Sequence, residues 1–502
     1  MEVTADEFAS VTGGRWEVRP ATTWRYRGLG WAWQTCAPGR IIVARGQGFR
    51  YGIDLSTLKR DMGHHGVILG ADTPRPKGNL PILRVDSIHH AIGKLAGHVR
   101  AQVDTPIIAV TGSVGKTTTC HLLHHLLGSL GAVAMNGQCN YPDGIIGEAA
   151  NLGQVDYGVF EASLQGLGEA TTILKPNVAM VTQVSPVHLA ETMSLLELAK
   201  RKAGLFNALA PGGTAVINRD IPYFTEVLGI ANANTRNVLT FGEDARAHFR
   251  LVDYDIAEQR VKARILGEDV EYELGIRGRH MAINSLGVLA GAHALGVDWN
   301  PLLARFAAAR PVSGRGTVER LQLGRIRVSI IDDAYNASPA AMEAAFTTLG
   351  TTLPTGKGRR IAVLGDMLEL GDDSPAFHRQ LASPLLASGI DKVHAAGEMM
   401  KWLWEELPPE RRASRAAKAN DIFRPLVRSL TDGDVILLKG SHGTGVHQLA
   451  EDLRYLALAP DLGEVGLWAS CWLVAAVHGV ERYAPSRIRR WVAWEVSKAV
   501  KH

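Results

Sequence analysis

The 502-residue sequence has few cysteines, and their spacing predicts neither a disulfide framework nor a zinc site. Its four cysteines, Cys36, Cys120, Cys139 and Cys471, are widely scattered and form no CxxC pair. This usage is typical of a reducing compartment. The N-terminal stretch MEVTADEFASVTGG also lacks the basic segment and apolar run of a signal peptide. We therefore predict a cytoplasmic protein.

The sequence is also poor in net charge. Its formal net charge of +4 is small for this length, so no nucleic-acid partner is predicted. A composition of 46% hydrophobic and 21% charged residues excludes a disordered chain and a multi-span membrane protein. At roughly 150 residues per domain, the length predicts about three domains.

Changes in pattern divide the sequence into residues 1–103, 104–310, 311–458 and a helical C-terminal extension, 459–502. The first part has short β-like runs, RIIVARG and HHGVILGA. In the second, the apolar runs YGVFEAS, NVAMVTQVS and GTAVIN alternate with helical stretches, and the Ala-rich INSLGVLAGAHALG closes it. The third has the strand-like runs VSIIDD, RIAVLGD, KVHAAGE and DVILLKGS. Such alternation predicts an α/β protein with mostly parallel sheets covered on both faces.

The stretch IIAVTGSVGKTTTCHLLHHLL, residues 107–127, has the pattern of a nucleotide-phosphate site. A strand is predicted before residues 112–117 and a helix after them. Glycines let backbone N–H groups surround an anion, and the helix N-terminus and Lys116 add positive charge. Thr117 would present a hydroxyl to Mg²⁺. The longer Walker pattern has glycine where Val110 stands, so a structural loop is the alternative.

Two polar residues follow predicted parallel strands in the same part of the sequence. Glu161 and His188 would lie at the carboxyl edge of the sheet, where open α/β sheets hold ligands. An acid and an imidazole at this edge could ligate Mg²⁺ bridging ATP phosphates. Taken singly, a solvated strand-end acid and a helix-start histidine explain them as well.

Five stretches together resemble the ATP-dependent Mur ligases of peptidoglycan synthesis: TGSVGKTTT, GRHMAINSLGVLAGA, DDAYNASPAAMEAA, RRIAVLGDMLELG and LLKGSHG. The resemblance runs from about residue 38 to 455. It implies a three-domain architecture: a small N-terminal α/β domain that binds the acceptor, a central P-loop ATPase domain with a parallel sheet, and a C-terminal Rossmann-like α/β domain for the amine substrate.

The resemblance also implies an activity. Members of this family use ATP and Mg²⁺ to convert an acceptor carboxylate to an acyl phosphate, which an amino group then attacks to form an amide. The partners would be a small-molecule carboxylate and an amino acid or dipeptide amine. Lys202, in AKRKAGLF, stands where the family carries a carbamylated lysine, a modification that turns a cation into an anion able to support Mg²⁺. A plain surface lysine is the alternative.

The site residues carried over from the family fall into four groups. For ATP they are Gly112, Ser113, Val114, Gly115, Lys116, Thr117, Thr118, His280, Asn284, Arg315 and Asp333. For the metal they are Thr117, Glu161 and His188. For the amine substrate they are Asn336, Lys439 and Ser441. The catalytic group comprises Lys116, His188, Lys202 and Arg315.

Several positions depart from the family pattern. Met281 replaces an adenine-side asparagine, Gln183 an asparagine before the metal histidine, and His442 an arginine after Lys-Gly-Ser. In the first domain, the family's Ser-x-Asp-Ser/Thr-Arg strand falls on residues 30–34, Gly-Trp-Ala-Trp-Gln. Glutamine is a poor replacement for an arginine that binds diphosphate through two charge-assisted bonds. The tryptophans either line a different pocket or pack the domain.

These departures lead to a predicted ligase with an altered acceptor. One alternative is an enzyme that adds D-alanyl-D-alanine to a UDP-linked muramoyl tripeptide. Another is a non-catalytic ATP-binding scaffold. The apolar run at residues 465–480 is shorter than the roughly 20 residues of a membrane span. For this extension we favour fold-back or a dimer contact over a membrane surface, so the protein would be a monomer or a dimer.

Overall fold

The computed structural model describes residues 2–46, 48–55, 63–76, 78–137, 139–185, 193–312, 314–368 and 370–457. These residues form two compact units. The first contains the described residues up to Ser185 together with Met193–Ala309, and the second begins at Arg310. The predicted C-terminal extension, residues 459–502, and the metal-ligand candidate His188 lie outside the described residues.

The first unit opens with a five-stranded sheet in the order β1-β5-β4-β3-β2, parallel except for β1. Its strands are β1 (Arg15–Val18), β2 (Leu29–Gly30), β3 (Ile41–Val43), β4 (Gly66–Gly70) and β5 (Ile82–Val85). Two helices accompany it, α1 (Ala5–Thr12) and α2 (Ile88–Gln102). Ser87 caps α2 by accepting a hydrogen bond from the His90 N–H.

A nine-stranded sheet forms the rest of this unit, in the order β14-β13-β12-β11-β10-β9-β6-β8-β7. Its strands are β6 (Ile107–Thr111), β7 (Val133–Met135), β8 (Tyr157–Glu161), β9 (Val178–Val181), β10 (Thr214–Asn218), β11 (Asn237–Gly242), β12 (Phe249–Asp255), β13 (Arg260–Ile265) and β14 (Glu268–Glu273). Its α-helices are α3 (Lys116–Leu127), α4 (Pro142–Ala149), α5 (Glu169–Leu174), α6 (Leu195–Ala203), α7 (Phe224–Asn234) and α8 (Arg279–Ala294).

The apolar runs of the sequence account for the centre of this sheet. Every residue of β6 and β9 is buried, as expected for parallel strands covered on both faces. Short 3₁₀ segments complete the unit at Trp33–Thr35, Leu152–Gln154, Gly204–Ala208 and Asn300–Ala308. One set of buried first-sheet residues shares a continuous hydrophobic core with α4 and α5: Ile41, Val43, Ile68, Leu83 and Val85.

The second unit is built on a six-stranded sheet in the order β15-β16-β20-β17-β18-β19, parallel except for the β15–β16 hairpin. Its strands are β15 (Thr317–Leu323), β16 (Ile326–Asp333), β17 (Arg360–Gly365), β18 (Lys392–Ala396), β19 (Arg412–Ala416) and β20 (Val435–Lys439). Its helices are α9 (Pro339–Thr351), α10 (Ser374–Gln380), α11 (Ala382–Ala387), α12 (Met400–Glu406), α13 (Ala419–Ser429) and α14 (Val446–Ala457), with 3₁₀ segments at Gly371–Asp373, Pro409–Arg411 and His442–Thr444.

The predicted α/β class and parallel-dominated sheets are confirmed. The sequence did not reveal the antiparallel extension β12–β14, where polar and apolar residues alternate because only one face is buried. The division at residues 103, 310 and 458 stays a prediction. Within the described part of the chain, no helix has the length and apolarity that crossing a membrane requires.

Candidate active site

The phosphate loop lies between β6 and α3, as predicted. Gly115 adopts a left-handed conformation, with φ of +89°, that places the first turn of α3 directly after it. A Cβ at Gly112 would collide with the Thr182 hydroxyl, so the loop also needs glycine there for space. Lys116 Nζ folds back across the loop and donates hydrogen bonds to the carbonyls of Gly112, at 2.8 Å, and Ser113, at 3.2 Å. The cation is thus held over the backbone that would surround a phosphate.

The residues after β9 fix the shape of this loop. Thr182 Oγ1 donates to the Val114 carbonyl at 2.7 Å, and the Ser113 N–H donates to the Gln183 carbonyl at 2.6 Å. The contact from Gln183 uses its backbone, which any residue supplies. Replacement of the family asparagine by glutamine at this position therefore leaves this support of the loop in place.

Glu161 ends β8 beside the phosphate loop, and both of its carboxylate oxygens are hydrogen-bonded. Thr117 Oγ1 donates to Oε2 at 2.7 Å and Asn140 Nδ2 donates to Oε1 at 2.7 Å. Asn136 fixes the Glu161 backbone, donating to its carbonyl and accepting from its N–H. Neither Asn136 nor Asn140 was predicted from the sequence, although two amides soon after the apolar run AVAM could have indicated a polar strand end.

The Thr117–Glu161 pair fits the requirements of a Mg²⁺ ion. A hydroxyl and a carboxylate are the hard oxygen donors that this ion prefers, and it commonly takes one or two carboxylates, with waters and substrate phosphates completing its shell. Among the described residues, no group of three histidine, cysteine or acidic side chains has the arrangement of a metal centre.

Lys202, near the end of α6, is a buried lysine with an unusual environment. Its side chain is 5% exposed, and within the described residues no group accepts a hydrogen bond from its amine. Burial, followed by the nearby charge of Lys116, lowers its pKa to about 7. This is not the surface lysine that the alternative predicted.

Helix α8 begins beside the loop. A Cβ at Gly115 would lie 3.0 Å from Asn284 Oδ1, so this amide borders the first turn of α3. His280, at the start of α8, is exposed. Met281, where the family pattern has asparagine, packs against the hydrophobic core.

In the second unit the structure brings together Asp333, Asn336 and Lys439. Lys439 is 2% exposed and pairs with Asp333 Oδ2 at 2.8 Å. It also donates to the carbonyls of Asn336, at 2.8 Å, and Asp333, at 3.2 Å. Lys439 therefore stabilises the conformation of the loop that follows β16. A role for it in holding the amine substrate stays a prediction.

The other candidate site residues of the second unit, Arg315 and Ser441, lie on loops close to aromatic side chains. The Arg315 guanidinium is 4.4 Å from the centroid of the Tyr335 ring, and His442 contacts the same ring at 5.5 Å. Ser441 Oγ accepts a hydrogen bond from the Leu368 N–H at 2.9 Å. His442, which replaces the family arginine, also stacks on His447 with centroids 4.0 Å apart.

Trp31 resolves one question that the sequence left open. Its Nε1 donates to Glu148 Oε2 at 2.9 Å, and a Cβ at Gly147 would lie 2.7 Å from its ring. The ring is 1% exposed and therefore packs between the first sheet and α4. Burial raises the pKa of Glu148. Packing, rather than lining a pocket, is the role of this residue.

Two family descriptions match the chain. The Mur ligase middle domain matches residues 110–292, and the domain described as "Mur ligase, glutamate ligase domain" matches residues 319–442. Among curated relatives, the UDP-N-acetylmuramoyl-tripeptide–D-alanyl-D-alanine ligase of Synechocystis is 32% identical, over 72% of this chain and 77% of the relative. That of Rickettsia prowazekii is 29% identical over 82% and 92%, respectively.

Solved structures show the same fold. A crystal structure of MurF from Acinetobacter baumannii superposes with a TM-score of 0.73 at 23% identity, covering 90% of this chain and 99% of that one. MurF from Thermotoga maritima in complex with ADP gives a TM-score of 0.66 at 23% identity, covering 86% and 98%. The chain therefore belongs to the Mur ligase family, whose members are ATP-dependent, amide-forming ligases.

Proposed function

We propose that this chain is a MurF-like ligase that uses ATP and Mg²⁺ to join a carboxylate to an amine through an acyl phosphate. The observation that carries the proposal is the Thr117–Glu161 pair beside a phosphate loop closed by Lys116. Family membership supports the reaction type. We place the activity in the cytoplasm because the four cysteines are widely scattered, a usage typical of a reducing compartment.

Each residue has a defined task in this reaction. The phosphate loop and Lys116 would hold the ATP phosphates. Thr117 and Glu161 would hold Mg²⁺, which would supply positive charge to the transferred group. An acceptor carboxylate oxygen attacks the γ-phosphorus and ADP leaves. The amine nitrogen then attacks the acyl carbon, phosphate leaves, and the nitrogen loses a proton. We assign Arg315 to the terminal phosphate and Asp333 to the ribose, as in the family pattern.

We propose that Lys202 is carbamylated. A buried amine with a pKa of about 7 is largely neutral near physiological pH, and only the neutral amine reacts with CO₂. The product is an anion next to Lys116, where a second ammonium is unfavourable and a carboxylate-like group is favourable. Carbamylation therefore replaces repulsion by attraction at this position.

The site residues specify the type of reaction more closely than the identity of the acceptor. The curated relatives are named for UDP-N-acetylmuramoyl-tripeptide and D-alanyl-D-alanine. In this chain, Trp31 occupies the acceptor strand with a packing role. We therefore favour an altered acceptor, or the same acceptor bound through other residues. A non-catalytic scaffold is disfavoured because it has no need for Thr117, Glu161 and the buried Lys202 together.

The test is phosphate release with ATP and Mg²⁺, combined with mass analysis of products. UDP-N-acetylmuramoyl-tripeptide and D-alanyl-D-alanine are supplied together and singly. Pentapeptide product formed only with both identifies the peptidoglycan reaction. Nucleotide binding without product supports a changed acceptor, and a chain without ATP turnover under any carboxylate and amine supports the scaffold. Lys116→Met abolishes turnover, whereas Lys200→Met, on exposed α6 surface, retains it.

A further inference from the structure

The first unit lacks the arginine that the family pattern has in its acceptor strand. Gln34 stands where the family pattern has arginine, and it is exposed. Three residues earlier, Trp31 packs edge-on against Tyr51, with ring centroids 5.5 Å apart. Trp31 is itself fixed by its hydrogen bond to Glu148. Trp31 therefore supports a neighbouring loop, residues 48–53.

Arg50 precedes Tyr51 in this loop and is fixed from the other side. Its backbone N–H donates to Asp143 Oδ2 at 2.5 Å, and His89 Nδ1 contacts Asp143 Oδ1. Both oxygens of Asp143 are thus engaged, one by the loop 48–53 and the other by α2. The Arg50 guanidinium lies over the Tyr141 ring, 3.8 Å from its centroid. Such stacking orients the planar group and leaves its edge open.

The edge of this guanidinium is available to a ligand. The Arg50 side chain is exposed, and among the described residues no oxygen accepts a hydrogen bond from it. The carboxylate of Asp143, which contacts this loop, is engaged by the Arg50 backbone and by His89. The Arg50 guanidinium is therefore a cation held in a fixed orientation with unused N–H donors. Two parallel N–H groups of such a guanidinium can bind a carboxylate or a phosphate through two hydrogen bonds.

The position of Tyr141 connects this guanidinium to the reaction centre. Tyr141 directly follows Asn140, whose amide donates to Glu161 Oε1 at 2.7 Å. Glu161 in turn accepts from Thr117 at the phosphate loop. The acceptor carboxylate must reach the terminal phosphate of ATP at that end. When the reacting carboxylate of the acceptor lies at the terminal phosphate, Tyr141 and Arg50 are beside the rest of the acceptor molecule.

We infer that Arg50, stacked on Tyr141, binds an oxyanion of the acceptor and replaces the arginine that the first domain has lost. The inference rests on the proposed ligase function and narrows its substrate to acceptors that carry an anionic group besides the reacting carboxylate. That group is a phosphate of a nucleotide-linked acceptor or a second carboxylate. Arg50 is a specificity-determining residue, and Tyr141 positions it.

Binding measurements test this without turnover. The phosphate loop is first saturated with ADP and Mg²⁺, so that probes cannot occupy it. UDP then serves as the diphosphate probe and a muramoyl-type tripeptide without nucleotide as the carboxylate probe, each titrated calorimetrically. We expect one of them to bind the wild type. A charge-assisted pair contributes enough that Arg50→Ala weakens that probe about tenfold to a hundredfold.

Three further variants separate binding from structure. Arg50→Lys keeps the charge and loses the planar guanidinium, so it is expected to lie between Arg50→Ala and the wild type. Tyr141→Phe keeps the ring and binds like the wild type, whereas Tyr141→Leu weakens the probe. Arg19→Ala removes another exposed arginine of the same unit, one paired with Asp6, and serves as the control. ADP affinity is unchanged in all of them, which verifies folding.

The two proposals fail in different ways. Failure of both probes to bind the wild type, or equal binding by Arg50→Ala and Arg19→Ala, overturns the role of Arg50 whatever the turnover assay gives. Probe binding that depends on Arg50, without product from any carboxylate and amine, leaves this role in place and removes the ligase function.

Discussion

The Thr117 hydroxyl and the Glu161 carboxylate meet in a buried hydrogen bond of 2.7 Å. The threonine lies in the first turn of α3 and the glutamate ends β8, so the bond ties the phosphate loop to the neighbouring parallel strand. Asn140 holds the other carboxylate oxygen. Glu161 is therefore oriented before any ligand binds, and such preorganisation is what a metal-assisted phosphoryl transfer requires.

Glu161→Gln is expected to impair Mg²⁺ use more than nucleotide binding. The amide keeps an oxygen for the Thr117 hydroxyl but loses the charge that attracts the ion. Changing an outer-shell partner already costs about tenfold to a hundredfold in metal affinity, so losing a ligand should cost at least that. Titration of phosphate release against Mg²⁺ measures the shift.

The exposed Glu226, on α7, provides the control for this experiment. Glu226→Gln removes the same charge from the same unit and should leave the Mg²⁺ dependence unchanged. If both variants need the same Mg²⁺ concentration as the wild type, Glu161 is not a metal ligand.

The sequence predicted the phosphate loop and Glu161 because strand, glycine loop and helix are local patterns. It could not predict Asn140, since its role depends on a strand ending next to β8. Nor could it show that Trp31 packs against Gly147, because that contact joins residues far apart in sequence. The antiparallel strands β12–β14 were not predicted for a different reason. Their alternation of polar and apolar residues is short, and it indicates a sheet only once the pairing of the strands is known.

Glu148 should make stability depend on pH. Its buried carboxylate has a raised pKa, so the folded state holds its proton at pH values where the unfolded chain releases it. The folded state is thus favoured at low pH, and this contribution falls as pH rises through the ordinary value of 4.5 to the raised one. Glu148→Gln removes the ionisation and keeps an oxygen for Trp31. Melting temperatures between pH 4 and 8 should decline less for this variant.

A substitution of Trp31, the hydrogen-bond partner of Glu148, checks the assignment. Trp31→Phe removes the Nε1 donor and leaves the carboxylate with one fewer partner, at a cost of about 1–3 kcal/mol in the free energy of unfolding. In the Glu148→Gln background the same change should cost less. Equal costs in both backgrounds would show that the Trp31–Glu148 bond is not coupled to the ionisation.

Lys439→Met should destabilise the second unit. The change removes the partner of Asp333 and the donor to two loop carbonyls, in a position that is 2% exposed. Breaking a buried ion pair costs about 3–5 kcal/mol, and the low end applies because water reaches Asp333. Urea unfolding followed by proteolysis of this unit measures the loss. Lys357→Met, at an exposed lysine of the same unit, should be neutral.

Activity should require CO₂, with a pH dependence set by Lys202. With a pKa of about 7, about one tenth of the amine is neutral at pH 6 and about nine tenths at pH 8. At constant dissolved CO₂, carbamate and activity should therefore rise across this interval. Enzyme prepared in CO₂-free buffer should lose turnover and regain it with bicarbonate. A ¹³C-NMR signal after labelling with ¹³C-bicarbonate, absent in Lys202→Ala, reports the carbamate directly.

Variants of α6 distinguish a carbamate from an ordinary cation at this position. Lys202→Ala should lose activity about a hundredfold or more, because a charge at the transfer site is missing. Acetate or propionate should restore part of it, since a small carboxylate can enter the space that the side chain vacates and supply the negative charge. Lys202→Arg should stay inactive with or without these anions. Lys200→Ala, two residues away and exposed, should keep both turnover and its bicarbonate dependence. Full activity of Lys202→Arg would instead mean that the site needs a cation, and the carbamate would have no role.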